Sequence, residues 1–373
     1  MRTQPEISTF LTERIDAGDF PSAVYVVWEK GEVRFSDALG CAVVEPERIP
    51  VAHDTIYDLA SVTKAVVTTL IAAKLVEDGV LRLDDPVSRF LEAGDKGEIT
   101  VGQLFSHSGG LPGWIPFYLL VEEREDILAE IVRTPFNSDR EQVVYGDPNF
   151  WLITFILEKL LAEPIDLAAR KMIVRPLGLN DTLYNPPAGL KTRLAAQERG
   201  TAFERQLCRD LGYEFTTNRV TGRMPFRDEP IWGELHDNNG WFFGGVGGHA
   251  GLFSTADEVL RMAMQFLPET TELLRPEKCE LFRTSLTVGR NEDRSFGFEL
   301  ASSPNTTAGT LMSPQSFGHL GFTGTSLWID PVNIRIFILL TNRTHAHDLP
   351  LANLNPVRRR FHDLAIAGLE RDS

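Results

Sequence analysis

Apolar positions recur along this chain with two different periods, and the changes of period mark out its elements. Ile7, Phe10, Leu11 and Ile15 fall at helical spacing, so residues 7–17 predict a short amphipathic helix. After Phe20-Pro21 the pattern becomes a β-rich run, Ala23-Val24-Tyr25-Val26-Val27-Trp28, closed by Glu29-Lys30-Gly31-Glu32 and resumed at Val33, Phe35 and Ser36. Two such runs about a short glycine-containing turn predict an antiparallel hairpin. Ala65, Val66, Val67, Leu70, Ile71 and Leu75 then predict a buried helix that begins at Ser61, runs to about Val76 and stops at Glu77-Asp78-Gly79. Asp58 is expected to complement the positive start of that helix.

The middle of the chain reads as helical. Residues 122–132, the run Trp151, Leu152, Phe155, Ile156, Leu157, Leu160 and Leu161, and residues 165–173 carry the pattern. Residues 185–234 mix prolines, glycines and charges and predict long loops around the core. Ser254-Thr255-Ala256-Asp257-Glu258 has the capping residues to begin a further helix, carried by Val259, Leu260, Met262, Ala263 and Phe266. Four strand candidates follow at 296–300, 317–322, 326–331 and 334–340, and a last helix at 361–369. This order predicts an α+β fold, with an antiparallel sheet built from both chain ends and flanked by helices. Residues 1–85 together with 240–373 form the sheet domain, and residues 86–239 a second, mostly helical lobe.

Composition narrows the function classes. Lysine and arginine total 37 against 52 acids, a formal charge of -15, which argues against a nucleic-acid or anionic-membrane surface. Cys41, Cys208 and Cys279 are unclustered and odd in number, so neither a disulfide framework nor a thiolate metal site is implied. The N-terminus lacks a long apolar segment, so no signal peptide or integral membrane segment is expected and the cytoplasm is the default location. The glycines of 244–251 lack the lysine and hydroxyl residue of a phosphate-binding loop. Close backbone packing beside a site explains them better.

Candidate chemistry begins with Ser61-Val62-Thr63-Lys64, which sets a hydroxyl and an amine three positions apart on one helix face. Tyr145 lies on a loop just ahead of a buried helix, in Tyr145-Gly146-Asp147. His107 could act as a base, but holding the turn His107-Ser108-Gly109-Gly110 by hydrogen bonds suits it better. Neither His319 nor the pair His345 and His347 has partners at metal-motif spacing, so no metal and no cofactor is expected.

With His319-Leu320-Gly321, these motifs occur in an order that resembles the serine β-lactamase-like hydrolases, the superfamily of class C β-lactamases, penicillin-binding DD-peptidases and related esterases. Asp58-Leu59-Ala60, Gly248-His249-Ala250-Gly251-Leu252 and Gly321-Phe322-Thr323-Gly324-Thr325 add to the likeness, which spans about residue 20 to the end. The resemblance implies that Ser61 is a nucleophile forming a covalent acyl-enzyme and that Lys64 and Tyr145 act as a coupled proton-carrying unit, with either drawn as the base. It also implies that the N–H groups of Ser61 and Phe322 receive the oxyanion, with Gly321 letting substrate lie along the strand.

Two departures bear on substrate. His319 stands where penicillin-recognising members present a lysine, and supplies at most a partial charge. Asp147 replaces an amide that donates to the substrate with a carboxylate that only accepts. The expectation is therefore a carboxylesterase on small acyl esters. A β-lactamase, a D-alanyl-D-alanine carboxypeptidase or D-aminopeptidase, and a non-catalytic ligand-binding protein of the same fold are the alternatives. The partner is thus a small-molecule ester, β-lactam or D-peptide. Trp114, Phe117, Tyr118, Trp232, Trp241 and Phe242 are candidates for an apolar acyl pocket, and His236 and Asp237 for its border.

Overall fold

A computed structural model describes residues 2–213 and 217–371. The β-branched and aromatic run β1 (Ser22–Glu29) pairs with β2 (Glu32–Val43) as the expected hairpin and, on its other side, with β10 (Arg335–Thr341). The two chain ends thus meet at the centre of one sheet. Its seven strands run β3-β2-β1-β10-β9-β8-β7, where β3 is Ile49–Pro50, β7 Glu299–Leu300, β8 Phe317–Leu320 and β9 Ser326–Asp330. The pairings within it are antiparallel.

Side chains alternate across the pleat, which sorts the central strands into two faces. Val24, Val26 and Trp28 of β1 join Ile336, Ile338 and Leu340 of β10 in the main core, with Val66, Leu70 and Val259 from the helices behind. Tyr25, Val27, Phe337 and Leu339 face the other way and meet Ile7 and Leu11 of the first helix (Pro5–Asp16) and Phe361 and Leu364 of the last (Asn355–Arg371). Both strands are buried on both faces, so they read as continuous apolar runs rather than clean alternation.

Two sequence expectations need correction. Residues 296–300 pair only at Glu299 and Leu300, because Phe296 and Phe298 turn into an aromatic cluster with Phe105, Phe266 and Phe282. The last helix begins at Asn355, ahead of the expected residue 361, with Pro356 in its first turn where a missing N–H costs nothing.

A smaller sheet carries the chain into the motif region. Its order is β4 (Tyr57–Asp58), β6 (Leu252–Ser254), β5 (Leu183–Tyr184). The turn between β8 and β9 is strapped to β4: Thr323 Oγ1 donates to Asp58 O at 2.8 Å and Thr325 Oγ1 to Leu59 O at 3.0 Å. Gly321 makes the approach possible, since a Cβ there would lie 2.6 Å from Leu59 O. Thr325→Val, nearly isosteric, leaves the buried Leu59 carbonyl without this donor. The carbonyl keeps Val62 N at 3.1 Å, so the expected cost is that of one net hydrogen bond, about 0.5–1.5 kcal/mol, read as a lower urea midpoint with unchanged m-value; an unshifted midpoint contradicts the strap.

Candidate active site

Ser61 lies in the turn that leads straight into the helix, which begins at Val62, one residue later than expected. Ala60 before it has φ 46°, a left-handed conformation that costs a residue with a Cβ about 1 kcal/mol or more. Asp58 holds it there: Oδ1 accepts from Ala60 N at 2.8 Å, and Oδ2 accepts from His236 N at 2.9 Å. Asp58 is therefore a clamp on the turn rather than a partner of the helix dipole. The chain then winds as a π-helical turn over Lys64–Thr69 before α-helix Leu70–Glu77. Thr69 Oγ1 donates to Lys64 O at 2.8 Å, so a side chain enters the backbone ladder where the turn is widened.

The Lys64 side chain is fully buried and its three N–H groups have three acceptors: Ser61 Oγ at 2.8 Å, Asp147 Oδ1 at 2.7 Å and the His249 carbonyl at 3.0 Å. Burial pulls the lysine pKa down, but the charges of Asp147 and Tyr145 outweigh it and leave the pKa raised above its ordinary value. Lys64 is thus an ammonium whose donors are all engaged.

Tyr145 approaches from the other side. Lys64 Nζ lies 5.2 Å from its ring centroid and the Arg294 guanidinium 5.1 Å, while its buried hydroxyl makes no well-formed hydrogen bond. His107 props this ring. The two rings lie 4.5 Å apart, His107 Nδ1 accepts from Gly146 N at 3.1 Å, and the His107 carbonyl accepts from Val144 N at 3.0 Å. Burial, then Arg294 and Lys64, push the His107 pKa well below the usual histidine range, consistent with a support rather than a base.

His319, on β8, is also buried and neutral: burial first, then Lys64 and Arg294, hold its pKa well down. Nδ1 sits 2.9 Å from the Leu320 carbonyl, which can only accept, so the proton is assigned to Nδ1. Nε2 is left as a buried lone pair without a partner. His345 is no loop ligand either: its Nε2 accepts from Val44 N at 2.8 Å, so it pins the end of β2.

Ser61, Tyr145, Asp147, His319, Gly321 and Phe322 line one cleft of about 900 Å³. Phe203, Glu204, Leu207, His236 and Asp237 line the same cleft, so the expected bordering positions His236 and Asp237 are there. Of the aromatic candidates, Trp114 lines the cleft. Phe117 is buried in the main core, and Tyr118, Trp241 and Phe242 belong to a separate packed cluster. Trp232 is half-buried, with Nε1 donating to Leu194 O at 2.9 Å. The Phe322 ring stacks on His236 at 5.4 Å and packs at a tilt against Phe203 at 4.6 Å.

Residues that sequence reasoning missed are Arg294, Glu204, Arg343 and Arg358, which share no motif with the serine. The glycine-rich segment carried one usable signal: Gly248 packs so closely that a Cβ would sit 2.8 Å from Thr68 Oγ1, and this brings the His249 carbonyl to Lys64. Among the described residues no cluster of three or more His, Cys, Asp or Glu is arranged to hold a metal ion, and no helix is long and apolar enough to cross a membrane.

With that geometry in hand, comparison with known proteins is informative. The Beta-lactamase family model matches residues 7–356. A Salmonella gallinarum protein, named provisionally as a D-alanyl-D-alanine carboxypeptidase, is 30% identical over 384 residues, covering 93% of this chain and 84% of its own. The solved structure of EstCE1, described as a hydrolase with promiscuous acyltransferase activity, superimposes with a TM-score of 0.72 at 21% identity over 97% of each chain. A class C β-lactamase from Rhodobacter sphaeroides gives 0.71 at 18% identity, covering 98% of this chain and 100% of its own. The two structures share the antiparallel sheet flanked by helices. By the match over nearly its whole length and the 30% identical relative, the chain belongs to the Beta-lactamase family of serine hydrolases.

Proposed function

We propose that this chain hydrolyses small carboxylic esters through an acyl-enzyme on Ser61. The observation that carries the reading is the set of three bonds made by Lys64, which puts the Ser61 hydroxyl 2.8 Å from a buried ammonium and commits Asp147 to the same nitrogen. An ammonium with every N–H engaged cannot accept a proton. The Ser61 proton therefore passes to Tyr145 reacting as the phenolate, whose negative charge the Lys64 ammonium offsets, and Lys64 and Tyr145 act as one unit. Ser61 Oγ attacks the ester carbonyl, the alcohol leaves with the proton held at Tyr145, and water then cleaves the acyl-enzyme through the same pair. The N–H groups of Ser61 and Phe322 bond no acceptor among the described residues and serve as the oxyanion donors.

The ester preference rests on what the cleft lacks. Asp147, tied to Lys64, offers no amide N–H to a substrate acyl amide. His319 offers a lone pair where a fixed cation would hold a carboxylate. D-Alanyl-D-alanine carboxypeptidase activity is the second reading. It is favoured by the name of the Salmonella relative and by Arg294, Arg343 and Arg358, cations in the cleft that could take a substrate carboxylate.

A panel of p-nitrophenyl acetate, p-nitrophenyl butyrate, nitrocefin and a D-alanyl-D-alanine peptide separates these readings. The highest kcat/KM is expected on the two esters; faster turnover of the peptide or nitrocefin overturns the substrate assignment, and no turnover of any favours a non-catalytic ligand-binding role.

The charge on Lys64 gives a pH prediction. Asp147 is the leading influence that raises the Lys64 pKa against burial, with Tyr145 adding to it, so in Asp147→Asn the ionisation moves to lower pH. The kcat/KM profile of D147N is expected to show its Lys64 ionisation at lower pH than wild type. Superimposable profiles contradict the assignment.

A further inference from the structure

Gly247, Gly248 and Gly251 leave the strip of chain beside Lys64 with few side chains to hold it, yet that strip supplies one of the lysine's three acceptors. Its flanks are strapped by backbone bonds: the Tyr184 hydroxyl donates to Gly247 O at 3.1 Å, Thr68 Oγ1 to Gly248 O at 2.6 Å, and Leu252 N to Thr63 Oγ1 at 3.2 Å. Between the straps only His249 and Ala250 carry side chains, and only the imidazole can form a polar bond. The residue whose carbonyl meets Lys64 thus has its own ring as anchor.

That ring is 1% exposed. It packs at a tilt on Trp151, with centroids 4.7 Å apart, and its Nε2 lies 3.0 Å from Asp237 Oδ1. Nδ1 is enclosed without a partner and faces Gly247, where a Cβ would sit 2.7 Å from it. Burial opposes a charge on Asp237, yet His249 and the Gly240 N–H hold its pKa at about 2, so it is an anion. A carboxylate ion can only accept, so the proton is assigned to Nε2, and Asp237 is the ring's polar tether. Asp237 is itself fixed, because Gly240 N donates to the same oxygen at 2.6 Å. The neighbouring charges are spent elsewhere: Arg227 donates to the Leu235 and His236 carbonyls, each at 2.7 Å, Asp58 accepts from Ala60 N and His236 N, and burial with the Asp237 charge pushes Glu204 up to about 8.

An ammonium is tetrahedral, so fixing two of its N–H groups aims the third. With Asp147 and the His249 carbonyl in place, the remaining N–H points at Ser61 Oγ. We propose that Asp237 is a positioning residue for Lys64: through His249 Nε2 it holds the carbonyl that takes one ammonium proton, and so holds the lysine charge against Ser61. The proposal rests on the acyl-enzyme reading of Ser61 and not on the ester preference.

The test compares His249→Leu, which removes the tether, with His249→Gln, whose amide can still donate to Asp237. Two readouts are taken on folded protein: the rate at which a fluorophosphonate labels Ser61, and kcat and KM on p-nitrophenyl acetate. H249L is expected to lose roughly 10- to 100-fold in labelling rate and in kcat, the scale of a misplaced reacting group, with KM changed less than about 2-fold. H249Q is expected to recover most of that loss. Asp237→Ala should repeat the H249L loss, and the double variant should fall less than about 2-fold below H249L, because both changes cut one bond. If D237A fails to fold, the H249L and H249Q pair still decides. An H249L that labels at the wild-type rate, an H249Q no faster than H249L, or losses that multiply in the double variant overturn the proposal. If labelling follows the expected order while no ester is hydrolysed, the positioning role stands and the ester reading falls.

Discussion

A buried ammonium must find acceptors for all of its protons, and that requirement at Lys64 draws the site together. Its charge alone, taken out of water, would cost several kcal/mol. The acceptors come from three distant parts of the chain: Ser61 on the turn before its own helix, Asp147 at the start of the helix Asp147–Leu161, and the His249 carbonyl in the glycine-rich segment. None of these segments can shift alone without leaving one lysine N–H without an acceptor. The same charge has effects beyond its own contacts, because together with burial and Arg294 it keeps His107 and His319 neutral. The cation thus adds to burial in holding its neighbours neutral.

The scaffold supplies what the lysine cannot, a fixed relation between Ser61 and the strand that would hold substrate. Thr323 and Thr325 bond the carbonyls of Asp58 and Leu59, and Arg358 from the last helix donates to the carbonyls of Gly321 and Thr325 at 3.0 and 3.1 Å. The left-handed Ala60 is tolerable because Asp58 and these straps fix both sides of it. Packing of the two central strands on both faces makes the platform behind them rigid.

Much of this was legible in the sequence, for identifiable reasons. β1 and β10 announce themselves because doubly buried strands must be apolar throughout, and Ser61, Lys64 and Tyr145 fall into ordered motifs. Phe296 and Phe298 misled because an aromatic run has the composition of a strand whether or not it pairs. The π-helical turn over Lys64–Thr69 escaped because the periodicity of Ala65 to Leu75 continues through it almost unchanged, and the Thr69 hydroxyl that bonds Lys64 O there leaves no mark on the pattern. Glu204, Arg294 and Arg358 escaped for a different reason. A charged residue brought to a cleft by tertiary structure carries no local pattern, and only its burial beside the serine marks it out.

The account stands on Ser61 being an activated nucleophile. A fluorophosphonate probe followed by intact-protein and peptide mass spectrometry tests this directly. One adduct per chain is predicted, located on Ser61 and absent from Ser61→Ala. No adduct on the folded wild-type protein, or an adduct on another residue that survives in Ser61→Ala, would contradict it.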